Sequence, residues 1–386
     1  MFNRKLVFTA ACLGMLMFGI VFTTLGAILP SVIEKFGLDK TNAGSLVLFM
    51  SFGILLGSLI FGPVVDRYGY KALLIVCAGL LVIGLEGIAS AWSFTVLRIS
   101  AFIIGFSGGV INGGTNALVA DISQEGKGAN LSLLGAFFGV GAIGIPLLLG
   151  SLLNRFSYQT IIASVGLIVA LPLIFFLIIK FPAPKQAQGF PLREGIGLLK
   201  ELTLILFGII LFFQSGMEIT VSSWSAVFLN EELGIESDKA VLLLSFYWLG
   251  IMGTRLALGR LLKSVSSVTT FFFSIAIAII GTFALLISNS VFLTISGLLL
   301  VGIGFAGIYP IILGYVGDLF SHLSGTAFSI VLVMALIGGM IYPSVTGIIG
   351  DSYGLRTALV LIPISLCFSA LIFQSLKRKI ATGKVT

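Results

Sequence analysis

Apolar residues run along this chain in long stretches that are hydrophobic on every side, a pattern a water-facing helix cannot carry. Twelve such stretches can be marked, at 6–33, 41–62, 71–90, 93–121, 126–150, 158–180, 201–229, 238–261, 267–287, 291–319, 325–349 and 356–376. Most reach or exceed the roughly 20 residues that an α-helix needs to cross a bilayer. The pattern therefore predicts an all-α membrane protein with twelve transmembrane helices. Only one polar interruption is long. Residues 181–200 hold Pro182, Pro184, Pro191 and a cluster of Lys, Gln and Arg, and are predicted to link a six-helix bundle at 1–180 to a second at 201–386.

The second half repeats the first. At a constant offset of 197, Gly37 meets Gly234, Gly53 meets Gly250, Gly62 meets Gly259, Gly84 meets Gly281 and Gly105 meets Gly302. The register continues through Asp121 and Asp318, Gly128 and Gly325, Ser132 and Ser329, Pro146 and Pro343, Gly150 and Gly347, and Thr160 and Thr357. A parallel repeat of two six-helix bundles implies an approximate two-fold axis along the membrane normal, with a substrate site expected on it near mid-membrane.

Composition agrees. The chain of 386 residues is 58% hydrophobic and 10% charged, with a mean hydropathy of +1.17, far from a water-soluble domain. Its net charge of +7 forms no basic stripe on a polar helix, so nucleic acid is not an expected partner. The charge reads as topology. Fifteen Lys and Arg fall on the side of both termini and the linker and five on the other, which predicts cytoplasmic termini in a plasma (inner) membrane. The first apolar run outlasts a signal peptide's and meets Pro30 without a small-residue cleavage site, so it is expected to stay as a membrane helix. Cys12, Cys77 and Cys367 lie inside apolar runs without metal or redox spacing, and no metal or cofactor is expected.

Between the second and third stretches lies Gly62-Pro63-Val64-Val65-Asp66-Arg67-Tyr68-Gly69-Tyr70-Lys71, a charged island where the chain surfaces and turns. With Gly62, Asp66, Arg67, Gly69 and Lys71 in place, it resembles the loop between helices two and three of the major facilitator superfamily of secondary transporters. The duplication resembles that superfamily across the whole chain. The resemblance implies two pseudo-symmetric six-helix bundles working by alternating access, with Asp66 and Arg67 helping to latch the cytoplasmic side. The second copy, Gly259-Arg260-Leu261-Leu262-Lys263, keeps the glycine and base but lacks the Asp.

Two glycine series, Gly139 to Gly144 and Gly302 to Gly307, fit the dinucleotide fingerprint but lie inside apolar runs and follow no strand. Small residues that let membrane helices approach explain them without a cofactor. Gly144-Ile145-Pro146 with Gly150 also resembles a fifth-helix antiporter motif; its repeat as Pro343 and Gly347 favours an inherited kink.

Ionisable groups inside a bilayer cost about 2.5–3.5 kcal/mol each on insertion scales, so each needs a reason. Glu86 and Arg98, near the outer ends of neighbouring helices, can pair or snorkel. Glu218 lies well inside the seventh stretch and shares a helix face with Gln214 and Ser222, four residues to either side. Burial favours a neutral carboxyl, which suits proton coupling; the alternative is a permanent ion pair with Arg255. Arg255 can neutralise Glu218, bind solute oxygens through its fork of donors, or reach the cytoplasm. Asn112 and Asn116, again four apart, suit a hydroxyl-rich solute or a bond between helices. Trp224, Tyr247, Trp248 and Tyr309 offer flat faces for a sugar ring, although Trp and Tyr also anchor membrane interfaces, as Trp92 is expected to do. His322, the single histidine, falls in a loop and is given no chemistry.

The run Gly216-Met217-Glu218-Ile219-Thr220-Val221-Ser222-Ser223-Trp224, followed by Leu229, resembles helix seven of the fucose and glucose symporter branch of the superfamily. That resemblance implies a sugar substrate. The branch's first-helix acid has no counterpart, since Phe18 to Pro30 carries no charge. The expected function is thus proton-coupled symport of a small polar solute, a sugar first, by a monomer, with sodium as the other candidate ion. A proton-driven exporter of amphipathic drugs or lipids is the second reading, kept open by 33 Phe and few membrane charges. An enzyme is not expected, because no nucleophile, metal or phosphate-cradling set appears, and no sizeable soluble domain suggests a receptor.

Overall fold

A computed structural model describes residues 2–123, 127–182, 198, 200–320 and 324–382. Within these residues the chain is helical, without strands. Its helices are α1 (Arg4–Phe36), α2 (Lys40–Ala89), α3 (Phe94–Ile122), α4 (Lys127–Leu152) and α5 (Tyr158–Ile178), then α6 (Leu202–Glu231), α7 (Ser237–Ser264) and α8 (Ser267–Leu286). They continue with α9 (Val291–Leu319), α10 (Ser324–Tyr353), α11 (Leu355–Leu359) and α12 (Leu361–Thr382).

Twelve segments among the described residues are long and apolar enough to cross a membrane. Two of them, Lys40–Phe61 and Arg67–Ala89, lie end to end in α2, whose helical geometry breaks only at Gly69 (φ 79°, ψ 168°). The loop expected around 62–71 is thus much tighter than its sequence suggests. The left-handed φ explains the glycine, because a Cβ is disfavoured there. The last span, Leu355–Lys377, runs through α11 into α12.

Two compact units emerge, one of Met1–Gln188 with Ile235–Ser245, the other of Gly189–Gly234 with Phe246–Thr386. In the first, α2 packs on α3 and α5, and α1 on α3 and α4; in the second, α6 packs on α10 and α8 on α9. Glycines let these backbones touch. A Cβ on Gly105 would run into the Met50 carbonyl oxygen, and one on Gly302 into that of Tyr247. Gly19 and Gly141 make the same approach between α1 and α4, as Gly216 and Gly338 do between α6 and α10. Of the glycines that mimic a nucleotide fingerprint, Gly141, Gly302, Gly304 and Gly307 are therefore contact points between helices.

Local signals repeat as well. Gly37 caps α1 at φ 59° and Gly234, three residues past the end of α6, turns the chain at φ 65°, and Ser93 and Ser290 cap α3 and α9 by accepting from the backbone N–H three residues on. Large apolar side chains such as Leu167, Ile178, Phe273 and Leu371 remain exposed, as expected of surfaces that meet lipid. Trp92, the expected interface anchor, is also exposed.

Candidate functional site

Helix α6 is buried on all sides from Gly216 to Leu229, and this stretch contains Glu218, Thr220, Ser222, Ser223 and Ser225. An all-round burial of so many polar groups must be offset by neighbours. Some are found. The Trp224 indole N–H donates to the Pro343 carbonyl of α10 at 2.9 Å, and the Gln214 amide donates to the Phe305 carbonyl of α9 at 3.2 Å. The Tyr247 hydroxyl, on α7, donates to the Glu218 backbone carbonyl at 3.3 Å. Others are left over: the Gln214 Oε1 and the hydroxyls of Thr220 and Ser222 are buried without a hydrogen-bond partner.

The Glu218 carboxylate and the Arg255 guanidinium approach across α6 and α7, with Oε1 and Nη2 3.7 Å apart. That single long contact falls outside hydrogen-bonding range and is far from the bidentate fork an Arg–carboxylate pair can make. The Glu218 side chain is 10% exposed and that of Arg255 37%. Gln214 lies within reach of the Glu218 carboxyl, and Tyr247 and Tyr309 are close enough to feel the charges of both Glu218 and Arg255. Tyr247 meets Trp248 and Phe305 edge to face, at ring-centroid distances of 5.2 and 6.3 Å. One cluster in the second unit therefore gathers Gln214, Glu218, Tyr247, Arg255 and Tyr309. Trp224, Trp248 and Ser222 are sealed within the packing around it.

Asn112 and Asn116 belong to the other unit, where the Asn116 amide donates to the Asn112 backbone carbonyl at 2.9 Å and to its side-chain oxygen at 3.1 Å. Of the expected gate, the Arg67 guanidinium stands 5.4 Å from the Tyr68 ring centroid, while the Asp66 side chain lies outside the described residues. The loop's other base has a defined task, since the Lys71 ammonium donates to the Leu177 carbonyl at 2.8 Å and so caps the last turn of α5. Glu86 and Arg98 share no hydrogen bond. Arg98 donates instead to the Ser45 hydroxyl and the Asn42 side-chain oxygen and stacks over Phe94, while the Glu86 Oε1 is buried without a partner beside Gly166. His322 lies outside the described residues.

The residue letters single out Glu218 and Arg255 as candidates but not the carbonyls of Phe305 and Pro343 that hold Gln214 and Trp224. Those acceptors are backbone atoms, and no residue letter announces them. Pro343, which recurs from Pro146, is the nearest thing to a signal.

Compared with known proteins, the sequence matches the Major Facilitator Superfamily over residues 11–316 and again over 206–383. The chain belongs to that superfamily. A glucose/mannose transporter, GlcP of Bacillus subtilis (strain 168), is 23% identical over 335 residues, covering 84% of this chain and 82% of the relative. The TsgA homolog of Buchnera aphidicola subsp. Schizaphis graminum (strain Sg) is 23% identical and covers 94% of both chains. The crystal structure of a point variant of the nucleoside transporter NupG superposes with a TM-score of 0.83 at 15% identity, covering 97% of this chain and all of that one. This superfamily member is thus a twelve-span membrane transporter of small solutes and not an enzyme.

Proposed function

We propose that this protein carries a small polar solute, a sugar first, across the plasma (inner) membrane in symport with protons, with both termini in the cytoplasm. The observation that carries the reading is the looseness of the Glu218 site. A carboxyl deep in a buried membrane helix is costly unless its charge is paired, and the cation set against this one, Arg255, stands off at 3.7 Å with the neutral Gln214 amide also within reach. A permanent structural pair would be expected to close to hydrogen-bonding distance; a carboxyl that takes and gives up a proton each cycle is better served by a partner it can leave. The relative that transports glucose and mannose supports the sugar half of the reading.

In this scheme Glu218 exchanges the proton and Arg255 answers its charge. Gln214, Ser222, Tyr247, Trp248, Tyr309, Trp224 and the Asn112–Asn116 pair supply donors, acceptors and aromatic surface for the solute as the two bundles, 1–180 and 201–386 joined by 181–200, alternate in access. Asp66 and Arg67 latch the cytoplasmic side. The test is the external pH of weakly buffered vesicles containing the protein. Sugar addition should alkalinise the medium, and Glu218→Gln should abolish that signal. If amphipathic drugs dissipate an imposed gradient while sugars do nothing, an exporter takes the place of this reading.

A further inference from the structure

The arginines that lie inside or at the ends of the spans do not all behave alike. Arg98 spends its donors on Ser45 and Asn42 and its face on Phe94; Arg356 donates to the Leu286 carbonyl at 2.6 Å and lies over the Phe228 ring. Arg255 makes no hydrogen bond among the described residues. Its one polar contact is the 3.7 Å approach to Glu218, and over a third of its side chain is exposed. A guanidinium carries five N–H donors in a planar fork, so nearly all of its capacity is unused among the described residues.

Charge conservation at this cluster then restricts what can be carried. With Glu218 ionised, its negative charge and the positive charge of Arg255 sum to zero. When Glu218 takes a proton, Arg255 is left as an uncompensated cation. Gln214, Tyr247 and Tyr309, the other polar groups gathered here from α6, α7 and α9, bring no anion. Tyr342, which packs on Gly216 from α10, pairs its hydroxyl with Ser365. A neutral solute would leave the loaded site with a net positive charge, which a membrane-spanning site disfavours. An anionic solute restores zero.

We propose that the solute bears a carboxylate, which takes the Arg255 fork as Glu218 is protonated and lets go. The inference rests on the reading of Glu218 and Arg255 as the coupling pair, and narrows the polar solute to a carboxylate, a sugar acid being the form nearest a sugar. The step balances. One proton from the entry side becomes the O–H of Glu218, one ion pair is exchanged for another, and no bond of the solute changes. A monoanion and a proton cross together, so transport carries no net charge.

D-Glucose and D-glucuronate, which differ at one carbon, separate the possibilities in vesicles containing the full chain. External alkalinisation is followed with and without an imposed membrane potential. Glucuronate should alkalinise the medium at a rate unchanged by the potential, with glucose at least about tenfold weaker, the order expected when a charged partner is missing. Arg255→Gln should reduce the glucuronate signal by about tenfold or more, and Arg255→Lys less, because a point charge replaces a fork. The voltage test needs no variant, so misfolding of Arg255→Gln cannot hide the answer. Glucose alkalinising the medium in a voltage-dependent way, with glucuronate silent, overturns the carboxylate and leaves proton–sugar symport standing. If glucuronate and D-gluconate are both inert, the carboxylate also falls, and inert glucose then removes the symport reading with it.

Discussion

The two halves of this chain share a scaffold and differ in chemistry. Residues 197 apart make the same backbone approaches: Gly53 to the Phe102 carbonyl and Gly250 to that of Leu299, Gly105 to Met50 and Gly302 to Tyr247. In the second half the cluster of Gln214, Glu218, Tyr247, Trp248, Arg255 and Tyr309 is built on that frame. In the first, the same register holds Met17, Val21, Met50, Ser51, Ser58 and Asn112, without a charge among them. Where a backbone touches a backbone, only the smallest residue fits, and both copies keep it. Where side chains meet, many combinations pack, so one copy can take up ionisable groups while the other stays uncharged.

The largest expected effect breaks this asymmetry at its centre. Glu218→Gln should remove pH-driven uptake by about a hundredfold or more, about 2.7 kcal/mol at 1.36 kcal/mol per tenfold, read as initial rates in vesicles with and without a pH gradient. Its mirror, Val21→Glu, should create no coupling. It should cost about 2.5–3.5 kcal/mol of stability as an unpaired membrane charge, read as a lower Tm of the purified protein in detergent.

Next come the shared crossings. Gly105→Ala and Gly302→Ala should each destabilise by about 1–3 kcal/mol, since each Cβ would meet a carbonyl oxygen that belongs to backbone and cannot rotate away. Similar Tm losses in both halves are expected; a loss confined to one would deny that they are equivalent. Gly144, by contrast, faces open space. Gly144→Ala should raise stability by about 0.5–1 kcal/mol through helix propensity alone.

A comparably modest effect sharpens the contrast at the turns. Position 69 in the first half corresponds to 266 in the second, where Ser266 has φ −61° and caps α8 by accepting from the Thr269 N–H. Gly69→Ala should cost about 1–2 kcal/mol for the left-handed backbone, and Ser266→Ala about 0.5–2 kcal/mol for the lost cap. Ser266→Gly should cost only a few tenths of a kcal/mol, so thermal melts of the three variants distinguish strain from capping.

Much of this architecture is legible in the residue order because the bilayer imposes a simple rule, that backbone polar groups be satisfied within each helix. Hydropathy alone therefore locates twelve spans, and the offset of 197 marks the glycines at 53, 105, 250 and 302. It does not say which carbonyl each glycine meets, since that depends on helix crossing. The charged island at 62–71 reads as a loop, yet the helix reaches through it, because one glycine suffices to redirect the chain. Glu218 and Gln214 can be placed on one face by counting fours. That Arg255 stops 3.7 Å short of the carboxylate is a matter of how α6 and α7 pack, which the period of a single helix does not contain.

The break at Gly69 has a mechanical side. The helical stretch that follows it, residues 70–89, is about 30 Å long at the usual rise of 1.5 Å per residue. A change of about 10° in a torsion at its base, acting as a lever, would sweep the far end through roughly 5 Å, close to a full helical pitch. The tether from Lys71 to the end of α5 and the seat of Gly84 against Ile104 hold that lever along its length. A residue with no side chain thus governs where the opposite end of a membrane-crossing rod comes to rest.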